Sequence, residues 1–85
     1  YTYSATQSTT NGGSNSVHID SNPVNDVWAS TVPLGATVVA EGRGSFVITT
    51  ITTPTDPINS SANWWFSVTP DNVTFPAGTN MTIKW

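Results

Sequence analysis

Residues 63–69 read NWWFSVT, with Trp64 and Trp65 side by side. Neighbouring side chains of an extended chain point to opposite faces, so Trp64, Phe66 and Val68 share one face and Trp65, Ser67 and Thr69 the other. That alternation makes the segment a β-strand with one apolar face turned to a core. It also leaves one of the two indoles aimed away from that core. The reading favours Trp64 inside and Trp65 outside; the opposite phase, with Trp65 inside, satisfies the same alternation.

The pattern extends in both directions. The closing stretch TNMTIKW puts Met81, Ile83 and Trp85 on one face and Thr82 and Lys84 on the other. It follows FPAG, where Gly78 supplies a residue free to take positive φ in a turn. Val73 and Phe75 form a short apolar pair after the turn at TPDN. Upstream, ATVVA and SFVITTIT flank EGRG, which spaces them as a hairpin. Both faces of SFVITTIT carry apolar residues, Phe46 and Ile48 against Val47 and Ile51, as expected of a strand covered on both sides. SVHID and DVWAS complete six or seven short strands. Val, Ile, Thr and aromatic residues dominate, proline and glycine recur as punctuation, and no helical period stands out. The chain reads as all-β: a small antiparallel β-sandwich or barrel.

Eighty-five residues make one small domain. Chains of this size have little core to spare and usually gain stability from disulfides, a metal or a partner. Cysteine is absent, which excludes disulfides and raises the expectation of self-association. Only two cationic side chains, Arg43 and Lys84, stand against five acids, for a net charge of −3. That leaves no basic footprint for nucleic acid. No apolar run approaches the ~20 residues of a membrane-spanning helix, so membrane insertion is not expected. Low charge with abundant Ser, Thr and Asn points to an extracellular location or a cell or virion surface. The first residue is Tyr1, as in a processed chain or an excised domain.

The stretch SVTPDNVTFPAGTNMTIKW, residues 67–85, resembles the closing strands of immunoglobulin-like domains in microbial surface proteins. A strand, a proline turn, a short strand, a glycine turn and a final alternating strand follow in the same order. The Cys–Trp–Cys core of true immunoglobulin domains is missing. The resemblance implies an immunoglobulin-like sandwich and carries no function.

Chemistry is sparsely signalled. His18 is the single histidine, and neither a nucleophile elbow nor a phosphate loop is present; the glycines of Gly42–Ser45 fit a hairpin turn. An enzyme is therefore not expected, nor a cofactor. The segment DSNPVND gathers Asp20, Asn22, Asn25 and Asp26, oxygen donors of the kind calcium takes. Pro23 and Val24 break the EF-hand spacing, and a loop built on Asx turns accounts for the same residues. Three sequons mark Asn59, Asn72 and Asn80 as candidate glycosylation sites on a secreted chain, with Asn80 the weakest because it opens a strand.

The N-terminal segment, residues 1–16, stands apart as a polar stretch ending in NGGSNS, and the folded unit is expected over residues 17–85. Tyr1, Tyr3 and Ala5 alternate with Thr2, Ser4 and Thr6, giving a strand on a glycine tether. Such a strand can add to the sheet edge of a neighbouring copy. Frayed ends, or pairing within its own subunit, are the other fates of such a segment. The expected function is a non-enzymatic structural subunit of a filament, fibre or coat, partnered by copies of itself through Tyr1, Tyr3, Ala5 and Trp65. The alternative is a carbohydrate-binding or adhesion module using Trp64 or Trp65, with Trp28 contributing.

Overall fold

Among the described residues, six strands line up in one sheet: β1 (Thr2–Thr6), β2 (Ser16–Asp20), β3 (Thr37–Ala40), β4 (Gly44–Thr52), β5 (Asn63–Thr69) and β6 (Asn80–Lys84). The computed structural model describes residues 1–11, 15–53, 63–70 and 73–85. Strand order is β1-β6-β3-β4-β5-β2, and every neighbouring pair is antiparallel. The two end strands come back towards each other. Ser8 N–H donates to His18 O at 2.9 Å, and the Gln7 carboxamide reaches both Ser16 O and the His18 N–H. The sheet is thus nearly closed and barrel-like. The expected division into two facing sheets is not seen among the described residues. The sandwich was inferred from the order of strands and turns near the C-terminus, and the same order serves a single curled sheet.

Alternation fills the interior as read. Trp64, Phe66 and Val68 of β5 are buried, as are Met81 and Ile83 of β6 and Val17 and Ile19 of β2. Phe75, in the segment before β6, is fully buried and meets the Phe46 ring edge-on, with centroids 5.2 Å apart. Burying each such ring contributes about 2–3 kcal/mol.

The β3–β4 hairpin forms where EGRG lies, with Gly42 and Gly44 at φ of 76° and 96°. The expectation that β4 is covered on both faces fails, and a β-bulge explains why. Ile48 pairs with Val68 but Thr50 with Ser67, so Thr49 is an extra residue. The bulge shifts the phase by one residue. Phe46 and Ile48 point inward before it, Ile51 packs against the core after it, and Val47 remains outside.

Two further expectations are corrected. DVWAS is not a strand: Pro23–Ala29 form the helix α1. Asn22 caps it, its side-chain oxygen accepting the Asn25 N–H at 2.8 Å, and Pro23 starts it where no N–H is needed. The N-terminal segment expected to be flexible or exchanging supplies β1 to its own sheet, with Thr2 opposite Lys84 and Thr6 opposite Asn80. Residues 7–11 continue that attachment. Gly78 N–H donates to Gln7 O, while Asn11 bonds both Val73 O and the Phe75 N–H.

Candidate functional site

β5 lies between β2 and β4, with His18 and Thr52 both paired to Trp65. Because Trp64 faces the core, Trp65 projects from the outer surface and is 43% exposed. The half-buried His18 imidazole lies against its indole, ring centroids 4.4 Å apart and tilted by 36°. Burial pushes the His18 pKa below its ordinary value. Thr52 and Ser67 place hydroxyls on the same side of the sheet. The result is a row across three strands: threonine, indole, imidazole.

The other tryptophans named as sugar platforms do not reach the surface in this way. Trp64 is buried and its Nε1–H donates to Asp26 Oδ1 at 2.7 Å. Trp28, on α1, is buried and stacks on Tyr3 with centroids 5.3 Å apart and planes within 9°. Trp85 stacks on Tyr3 in turn, at 5.4 Å.

The candidate linking residues also divide. Tyr3 and Ala5 pack against the chain's own core, whereas Tyr1 stands in solvent, at 83% exposure, and Trp65 on the outer face of β5. What β1 offers a neighbour is its backbone. Tyr1 and Trp85 exchange both of their backbone hydrogen bonds, which makes them a narrow pair of the antiparallel ladder. The register then gives the same role to Tyr3–Ile83 and Ala5–Met81. The N–H and C=O groups of Thr2, Ser4 and Thr6 therefore point away from β6, and among the described residues no backbone group meets them. β2, at the other end of the order, is covered from Ser16 to His18 by Gln7 and Ser8.

The residues weighed for calcium are engaged in starting α1. Asn25 Nδ2 donates to Asp20 O, and the Asp26 carboxylate accepts from Ser21 Oγ as well as from Trp64. Among the described residues, no three His, Cys, Asp or Glu side chains gather as a metal site would require. Asn80 is exposed, its Nδ2 donating to Glu41 Oε2 at 3.1 Å, beside an open hollow of about 580 Å³ bordered by Ser4, Thr6, Val39 and Thr82. Asn59 and Asn72 lie outside the described residues.

Sequence reasoning missed His18 as a neighbour of Trp65, because cross-strand register is not written in local alternation. It also missed Gln7, whose burial has no local signal. The start of α1 was legible in Asn22-Pro23, an N-cap followed by proline. Comparison with protein-family models, curated proteins and solved structures returns no match to this chain.

Proposed function

We propose that this chain is a non-enzymatic structural subunit of an extracellular or virion-surface assembly, joined to neighbouring copies along β1. The observation that carries the reading is the open edge at Thr2, Ser4 and Thr6. Sheet edges are usually guarded by lysine, proline, a bulge or a covering segment. TYSAT has no charge and no proline, and its pairing with β6 runs without a register shift. A strand from a second copy added there would continue the sheet, with main-chain bonds supplying affinity. Val24 and Val27, one turn apart on α1, are exposed at 75% and 73% and add apolar surface that an assembly would cover.

Light scattering on the 9.0 kDa chain tests this. Ser4→Pro removes an outward N–H without touching the bonds to β6, and Ser4→Lys places a charge on the same edge. The expected result is a concentration-dependent mass above the monomer for the natural sequence, and a monomer with near-native melting for both variants. A natural chain that stays monomeric at millimolar concentration, or variants that assemble unchanged, would reject the reading.

A further inference from the structure

We propose that the outer face of β2, β5 and β4, centred on Trp65 and His18, is a binding site for a neutral pyranose unit of an oligosaccharide. This is a second property of the molecule, separate from assembly along β1.

Three observations converge on that chemistry. First, Trp65 offers an exposed indole anchored on a central strand of the sheet, held in orientation by the imidazole packed 4.4 Å away. The negative face of an aromatic ring attracts the weakly positive C–H groups on one side of a pyranose. Second, the register places hydrogen-bonding groups on both flanks. Cross-strand partners have Cβ atoms about 4.5–5.5 Å apart, so Thr52 and His18 sit on either side of the indole, within reach of the hydroxyl rim of a ring stacked there. Partial burial favours the neutral form of His18, in which one ring nitrogen donates and the other accepts.

Third, charge selects the class of sugar. Arg43 lies in the β3–β4 turn, at the end of β4 opposite Thr52, and Lys84 is on β6, beyond β3 in the sheet order. No lysine or arginine lies on these three strands to meet a carboxylate or sulfate; among the described residues the charge on this face is Asp20, two residues along β2 from His18. A uronic or sulfated glycan would bring its own anion beside that acid, on strands that carry no lysine or arginine. A neutral hexose or pentose unit meets none of that penalty.

The test is an NMR titration of the intact chain with neutral cello-, xylo-, manno- and chito-oligosaccharides, using oligogalacturonate as the acidic control. At least one neutral series should shift the Trp65 Nε1–H and His18 ring resonances with a Kd of roughly 1 mM, typical of a single stacked unit. Trp65→Ala should weaken that binding at least about tenfold, a change of about 1.4 kcal/mol. His18→Ala should weaken it severalfold, and Arg43→Ala, in the β3–β4 turn, should leave it unchanged. Trp65→Phe keeps an aromatic face and guards against reading a folding defect as lost binding. The proposal is overturned if no neutral sugar moves either resonance at saturating concentration, or if Trp65→Ala binds as well as the natural chain. It is likewise overturned if protein concentration alone perturbs Trp65 while sugars do not, since the face would then be a protein contact.

Discussion

Gln7 Oε1 accepts the backbone N–H of His18 at 3.1 Å, so a single side chain joins the two ends of the sheet. The same carboxamide donates to Ser16 O at 3.2 Å and to Thr9 O at 2.8 Å, and the residue is 1% exposed. A side chain here performs what a strand pair would otherwise do, with donor and acceptor both used.

Replacing it therefore separates two effects. Gln7→Ala leaves a buried N–H and two carbonyls without this partner, and should cost about 2–3 kcal/mol in denaturant unfolding. Gln7→Glu keeps the size but faces a carboxylate towards Ser16 O and Thr9 O. It should destabilise the fold more than alanine does at neutral pH, and recover part of the loss at low pH. Equal urea midpoints for Gln7→Glu and the natural chain would mean that the amide does not close the sheet.

The indole of Trp64 ties β5 to α1 through Asp26. A hydrogen bond to a charged group contributes about 1.5–3 kcal/mol. Asp26→Ala should cost in that range; in a double-mutant cycle with Trp64→Phe the loss of the double variant should fall short of the sum of the two single losses by about 1 kcal/mol or more. Additive losses would show that the bond contributes nothing of its own.

Much of the sheet was legible because one rule, alternation, governs β5, β6 and the hairpin. The rule stopped where structure is non-local. The bulge at Thr49 mixed two phases, so β4 read as apolar on both faces when it is apolar on one at a time. α1 was hidden by its brevity, seven residues, although Asn22 and Pro23 announced its start. The pairing of His18 with Trp65 spans 47 positions and is fixed by strand order, which no local pattern contains. Trp28 was exposed to misreading for a related reason. Its partner Tyr3 comes from a segment that looked detached because it is polar and followed by glycines.

His18 gives stability a pH dependence whose sign is fixed. Its folded pKa lies below the ordinary 6.5 because burial disfavours the cation. Between the two values the unfolded chain binds a proton more readily than the folded one, so acid favours unfolding. Stability should be complete above 6.5 and fall as pH drops below it, until the folded state titrates too. The ring faces the indole of Trp65, with Asp20 the ionisable neighbour on the same face of β2. Urea midpoints from about pH 7.5 to 5.5, above the usual carboxylate range, should decline for the natural chain. They should stay nearly flat for His18→Gln; identical slopes would remove His18 as the cause.

Residues 1–11 are part of the fold, and their removal should be felt as unfolding. Deleting them strips the β1 ladder from β6, the Tyr3 ring from between Trp28 and Trp85, and the Gln7 bonds to β2. It also takes Asn11 from Val73 O and the Phe75 N–H, beside a fully buried ring. An 85-residue domain has only about 4–13 kcal/mol of total stability to lose. Exposed tryptophan, an unpaired strand and several orphaned backbone groups exceed that reserve. The truncated chain should show no cooperative thermal transition and no near-ultraviolet tryptophan signal, while the intact chain shows both. A cooperatively melting truncated monomer would instead make β1 a dispensable attachment, and would return it to the role of a strand free to leave its own subunit for another.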